Sequence, residues 1–152
     1  MPQDLTDVVL LKGYRFRIDF NDDCAVYANE VSGLDAEFDV AEYRAGDDVL
    51  FTVRKYPGLA KYGNITIKQC LVGDRLDFYN TVGNYLEGSV DHTTDKKELT
   101  ITLMNDSGED AAVWTASSAW VTKYTGPDLN STSSDISIET IEIAHEGLRR
   151  TK

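Results

Sequence analysis

From Lys12 to Phe20 the chain alternates strictly. Tyr14, Phe16, Ile18 and Phe20 take every second position, and Arg15, Arg17 and Asp19 lie between them. A period of two with aromatic and branched residues on one side defines a strand with one buried and one polar face. The same signature returns at Glu98–Met104, where Leu99, Ile101 and Leu103 alternate with Thr100 and Thr102. Side chains in this register fit no helix, so the chain is built mainly from antiparallel strands.

Turn chemistry separates the other strands. Asn21-Asp22-Asp23 predicts a turn into a partner strand over Cys24–Val31, and Ser32-Gly33 breaks the pattern. Strands are expected at Glu37–Arg44, and over the apolar run Val49–Arg54 after the turn Gly46-Asp47-Asp48. Lys55–Asn64 holds Pro57-Gly58 and reads as an exposed loop or long hairpin tip carrying Tyr56, Leu59 and Tyr62. Exposed apolar groups on a loop suggest a contact surface. Ile65–Val72 is a further strand with Ile65 and Ile67 on one face.

One helix is expected after Asp74, a good N-cap. Leu76, Tyr79, Val82 and Leu86 form its apolar stripe, and Gly88 ends it. Asn105–Gly108 predicts a hairpin turn into a strand over Ala111–Tyr124 that holds Trp114 and Trp120. A loop runs from Gly126 to Ser134, and the last strand spans Ile136–His145. There Ile136 and Ile138 share one phase and Ile141 and Ile143 the other, which predicts a β-bulge near Glu139-Thr140. The expected fold is mainly β: two packed antiparallel sheets, a sandwich or barrel of seven or eight strands, with one α-helix, in a single domain spanning residues 1–152.

The length suits one domain able to bury on the order of 70% of its unfolded surface, so neither a disulfide nor a metal is needed for the core. Cys24 and Cys70 are expected as free thiols. No export signal is read at the N-terminus, and no apolar stretch nears the roughly 20 residues of a membrane span, so no membrane anchoring is expected. A net charge of −11 argues against tight nucleic-acid binding. The charge is uneven: residues 1–50 hold twelve acids and four bases, whereas residues 51–75 hold five bases and one acid.

Chemistry-bearing motifs are sparse. His92 and His145 do not stand at zinc-ligand spacing; His92 is expected solvated in a polar turn and His145 in a packing or hydrogen-bonding role. Ser117-Ser118 lacks the glycines of a nucleophile elbow. Asp22-Asp23 and Asp47-Asp48 lack the spaced ligands of a calcium loop and read as solvated turn acids. No catalytic residue, metal or cofactor is expected, and weight shifts to binding or assembly.

A series of blocks, in order, then resembles one family. Glu30-Val31-Ser32-Gly33-Leu34 followed by Glu42-Tyr43-Arg44-Ala45-Gly46, then Arg54-Lys55-Tyr56-Pro57-Gly58-Leu59, Asn64-Ile65-Thr66-Ile67-Lys68, Gly126-Pro127-Asp128-Leu129-Asn130 and finally Ile141–Leu148 look like the contractile phage tail tube proteins. Phe78 and Tyr79 stand where that family usually has a tryptophan. The resemblance implies the inner-tube subunit of a phage tail or tail-like injection system, with a fold similar to the type VI secretion tube protein. It implies hexameric rings stacked into a tube, enclosed by a contractile sheath and joined to baseplate and tube-terminating proteins. Protein or DNA cargo would occupy the lumen. Assembly is expected in the cytoplasm, the product being part of a virion tail or injection particle.

In that family the loop corresponding to about Gly46–Gly63 reaches toward neighbouring subunits and the adjacent ring. The expected contact residues are therefore Asp47, Asp48, Arg54, Lys55, Tyr56, Pro57, Leu59 and Lys61, with Tyr56 and Leu59 as apolar anchors. The acidic stretch Asp35–Asp48 and the basic stretch Arg54–Lys61 are expected to pair across a ring boundary. Competing readings are a type VI-class cargo carrier, a monomeric ligand-binding β-barrel, and a hydrolase that uses some of the scattered acids.

Overall fold

The computed structural model describes residues 10–20, 24–26, 28–71, 76–88 and 96–152. Ten strands and one helix follow one another among these: β1 (Phe16–Phe20), β2 (Cys24–Val26), β3 (Ala28–Ser32), β4 (Ala36–Tyr43), β5 (Arg54–Tyr62), β6 (Ile65–Cys70), α1 (Asp77–Leu86), β7 (Lys97–Met104), β8 (Asp110–Thr125), β9 (Ile138–Ala144) and β10 (Gly147–Arg150). Eight strands join in the antiparallel order β2-β1-β7-β8-β9-β6-β3, with β10 added alongside β8. β4 and β5 pair only with each other. The expected turn at Asn21–Asp23, the cap at Asp74 and the site of His92 lie outside the described residues.

The eight-stranded sheet is two sheets sharing one long strand. The first part of β8 pairs with β7 and β10, and its end pairs with β9. Between these parts the register slips, and Ser118 adopts φ 53°, a left-handed backbone that costs a serine about 1–2 kcal/mol. A bulge of this kind bends a strand sharply. The bend lets both inner faces enclose one core: Ile18, Phe20, Leu99 and Ile101 from one sheet, Ile65, Ile67, Val121, Ile141 and Ile143 from the other. The Ser117-Ser118 pair thus has a structural use.

Several sequence expectations need correction. Cys24–Val31 is not one strand: β2 pairs with β1, whereas β3 crosses to pair with β6. Of the strand expected over Val49–Arg54, residues 49–52 are a run of bends and only Arg54 is strand, as the start of β5, which continues through most of Lys55–Asn64 in place of the expected loop. Pro57 and Gly58 are tolerated there because the register shifts between Phe38 and Val40, so Gly58 and Leu59 bulge opposite Asp39. A Cβ on Gly58 would stand 2.9 Å from the Asp39 carbonyl oxygen. β10 was not expected at all.

The helix buries Val82 and Tyr85, not the whole stripe read from the sequence; Leu76, Tyr79 and Leu86 are exposed. Spacings of three and four offer two overlapping stripes, and the core selects the one containing Tyr85. Leu76 occupies the N-cap position without a side-chain cap, and Gly88, at φ 73°, follows the last turn.

In β9 the register with β6 is unbroken, so no bulge lies at Glu139-Thr140; the slip is on β8, between Val121 and Lys123. Ile136 lies outside the strand and is exposed, while Glu139 shares the buried face with Ile141 and Ile143. Its carboxylate accepts hydrogen bonds from the Tyr124 hydroxyl at 2.8 Å and from Gln69 Nε2 at 3.4 Å. A buried carboxylate persists only when paired in this way. Desolvation, then the hydrogen bond to Glu139, push the Tyr124 phenol up to about 12. Cys70 is a free, half-buried thiol, and the Cys24 side chain lies outside the described set.

Candidate functional site

The β4–β5 hairpin is the part of the fold that lacks a partner. It leaves the main sheet between β3 and β6 and is pinned at its base. Gly33, at φ 87°, turns the chain out of β3, and a Cβ there would come within 2.1 Å of the Asn64 carbonyl oxygen. The Gly63 amide donates to Asp35 Oδ1 at 3.0 Å. His145 Nε2 lies 3.1 Å from the Gly63 carbonyl, which makes that nitrogen the donor, and its ring tilts against Tyr62 at 5.5 Å. This is the hydrogen-bonding role expected for His145.

Beyond the base every residue of β4 is exposed. Cross-strand partners share a face. Phe38 and Ala60, Val40 and Pro57, and Glu42 and Lys55 therefore lie on one face; Glu37 and Lys61, Ala41 and Tyr56, and Tyr43 and Arg54 lie on the other. The first face is apolar along most of its length, with Phe38 65% exposed. The second carries the Lys61–Asp39 ion pair at 3.0 Å. That carboxylate raises the Lys61 ammonium above the ordinary lysine value, by its hydrogen bond first and its charge second.

The tip, residues 44–53, is held open by polar groups. Asp48 Oδ2 accepts from the Ala45 amide at 3.1 Å, and its Oδ1 pairs with Arg54 at 3.2 Å. Arg44 donates to the Asp48 carbonyl at 3.1 Å and to the Leu50 carbonyl at 3.2 Å. Asp48 is therefore not the solvated turn acid expected; it frames the loop. The frame spends its hydrogen bonds on backbone and charge and turns Val49, Leu50 and Phe51 outward, at 91%, 72% and 97% exposure. Three adjacent apolar side chains held in water by this loop make it a candidate contact surface.

The expected contact residues thus fall into separate groups. Asp47 is exposed at the tip turn, and Asp48 and Arg54 build the frame. Tyr56 and Lys61 share the charged face, while Lys55 and Pro57 lie on the apolar one. Leu59 stands on the bulge, 78% exposed. The acid–base pairing expected across a ring boundary is met within one hairpin for Arg54 and Lys61, because their strands lie beside the acidic strand. The sequence reading did not single out Phe38, Val40, Val49, Leu50 and Phe51, which the structure leaves exposed on the hairpin. Val49, Leu50 and Phe51 form an apolar run directly after a Gly-Asp-Asp turn, and Phe38 and Val40 alternate with acids along β4; both patterns resemble a buried strand until their surroundings are known.

A mainly β subunit with a complete core and a long, unpartnered, apolar-tipped hairpin is a protein made to join other copies or other chains. The chain belongs to the family of T4-like virus tail tube protein gp19, whose family model matches residues 12–149. Two structures of an extracellular contractile injection system, PVC, contain similar chains. One, in the extended sheath–tube complex, is 29% identical with a TM-score of 0.79 over 93% of this chain and 91% of the other. One in the extended sheath/tube terminator is 28% identical with a TM-score of 0.81, covering 96% and 99%. A chain of the anti-feeding prophage tube-terminating cap is 26% identical with a TM-score of 0.80, covering 99% of each. Hcp1 from Flavobacterium johnsoniae shares the fold at 15% identity and a TM-score of 0.55, over 90% and 94%. No curated sequence matches the chain.

Proposed function

We propose that this protein is the inner-tube subunit of a contractile phage tail or tail-like injection system and forms hexameric rings that stack into a hollow tube. It is structural, with no reaction to catalyse. Its partners are further copies of itself, a contractile sheath protein, baseplate and tube-terminating proteins, and protein or DNA cargo in the lumen. Assembly takes place in the cytoplasm, and the product is a tail or injection particle.

The observation that carries this reading is the tip: an ordered loop presenting Val49, Leu50 and Phe51 to solvent at the end of a hairpin with two unpaired edges. Each such side chain gains about 1.5–3 kcal/mol when buried against another chain. The contact residues Asp47, Asp48, Arg54, Lys55, Tyr56, Pro57, Leu59 and Lys61 then divide the work. The frame sets the tip, Leu59 and Tyr56 add apolar contact, and Lys55, which forms no ion pair among the described residues, is free to meet an acid of the next copy.

Negative-stain microscopy of the purified protein across a concentration series tests the proposal. Rings and rods are expected. The double variant Leu50→Ser, Phe51→Ser should fold and leave rings that do not stack. Isolated chains at every concentration would count against the reading.

A further inference from the structure

We propose that the outer face of the sheet formed by β3, β6, β9 and the end of β8 lines the channel, and that its lining is charge-balanced so as to pass polypeptide cargo of either sign. This rests on the tube reading given above.

Alternation assigns the face. Ile65, Ile67, Val121, Ile141 and Ile143 point into the core, so the residues between them point away from it. The outward charges are Glu30 on β3, Lys68 on β6, Glu142 on β9 and Lys123 on β8. Two acids and two bases sum to zero, in a chain whose net charge is −11. The opposite signs are also interleaved. Lys68 Nζ lies 3.4 Å from Glu30 Oε2, and Lys123 stands opposite Glu142 in the ladder. Between these charges lie hydroxyls, with Thr66 opposite Glu142 and Thr140 opposite Lys68.

The opposite side of the molecule differs. Helix α1 packs on the core side of this sheet, where Tyr79 meets the Tyr124 ring edge-on at 5.7 Å, and it exposes Leu76, Tyr79 and Leu86. Apolar groups of that kind hold a surrounding chain. Among the described residues of this sheet face, Ile138, at one end and 37% exposed, is the only large apolar one that is exposed, and Trp120, opposite Ala144, is half-buried. A surface that must let go of what slides past it needs neither exposed apolar groups nor a net field. The hairpin leaves the sheet between β3 and β6, so stacking through the hairpin runs this face along the tube axis.

The lining also selects a cargo class. Paired charges cancel beyond a Debye length of about 8 Å, so neither an acidic nor a basic protein is held or repelled. Of the two cargo classes named above this favours protein: duplex DNA, with its uniform dense phosphate charge, finds no net counter-charge there, since Lys68 and Lys123 each stand beside a glutamate.

Two measurements on assembled tubes test this. Cys70 lies on the same outward register as Thr66 and Lys68. In tubes made with Cys24→Ser, it should react with N-ethylmaleimide but not with a maleimide coupled to an antibody-sized protein, whereas dissociated subunits should react with both. Thr140→Cys, in a chain lacking both native thiols, should repeat the pattern if Cys70 proves slow. Second, one small fluorescent protein in net-positive and net-negative versions is added during assembly, beside a short DNA duplex. The two proteins should be retained equally within about twofold, and the duplex excluded. A change of Glu30 and Glu142 to Lys should favour the negative protein and the duplex by about ten-fold. Tubes whose Cys70 takes the bulky reagent, or in which neither Cys70 nor the thiol of Thr140→Cys takes either reagent, overturn the inference alone. So does a wild-type preference for one sign of about ten-fold, or for the duplex. Absence of any ordered assembly overturns the tube reading, and this inference falls with it.

Discussion

The eight-stranded sheet and the hairpin use apolar residues to opposite ends. In the sheet Ile18, Ile65, Ile67, Leu99 and Ile143 are sealed against one another, so the subunit holds a finished core. In the hairpin Phe38, Val40, Val49, Leu50 and Phe51 are just as apolar and remain in water. A two-stranded hairpin alone is marginally stable at best. This one persists because its base is stapled by Asp35 and His145 and its tip is framed by Arg44, Asp48 and Arg54. The difference teaches that an apolar pattern specifies burial without specifying the chain that supplies it.

The widest gap should appear on truncating one apolar residue in each region. Ile67→Ala leaves a cavity where both sheets meet and should cost about 2–5 kcal/mol in chemical denaturation. Phe51→Ser should change subunit stability by no more than about 0.5 kcal/mol, yet reduce tube length in micrographs. A large loss of subunit stability on Phe51→Ser would erase the distinction between the regions.

A smaller effect is expected where the regions join. Gly33→Ala places a methyl against the Asn64 carbonyl in a left-handed backbone, which should cost about 1–3 kcal/mol. Because the strain falls at the exit of the hairpin, assembly should suffer more than the melting of the core. In the core itself Tyr124→Phe removes one of two donors to the buried Glu139 and should cost about 1–3 kcal/mol. The wild-type phenol, up at about 12, should be missing from the normal tyrosine step in an absorbance titration, and that late step should vanish in the variant.

What could be read from the sequence follows the same division. β1 and β7 were legible because Phe16-Ile18-Phe20 and Leu99-Ile101-Leu103 gather the apolar residues on one face, which alternation reports directly, although Thr102 on the other face of β7 is buried too. Asn105–Gly108 was legible because the turn uses local chemistry: Asn105 Oδ1 accepts from the Ser107 and Glu109 amides, and Gly108 sits at φ 84°. The tip was misread because Val49-Leu50-Phe51 has the composition of a buried strand. Pro57-Gly58 was misread because a bulge and a turn ask for the same residues. The last strand misled because its buried series begins with Glu139, and only the distant partners Tyr124 and Gln69 make that acceptable. β10 gave no signal, since Gly147–Arg150 has too few residues to alternate. For the proposed contact surface, the region came from family resemblance and the candidate residues only from exposure.

The smallest effect concerns the hairpin's charges. Asp39 raises Lys61 above its ordinary value, so the folded hairpin holds that proton more tightly than the unfolded chain does. The pair's contribution is therefore complete below the ordinary lysine value of about 10.4 and is lost as pH rises through the raised one. Neutral pH and mild acid should leave it unchanged. Both side chains are well exposed, so salt should weaken it and its loss should barely alter subunit stability. Carbon shifts beside the Lys61 ammonium, followed by NMR, should titrate later than those of an unpaired lysine, and Asp39→Asn should abolish the delay. If Asp39→Asn also spares the stacking of rings, the hairpin's charges serve its own shape and its apolar residues do the joining. If stacking fails, Asp39 and Lys61 act between subunits, and the distinction between a self-paired charged face and an unpartnered apolar face must be redrawn.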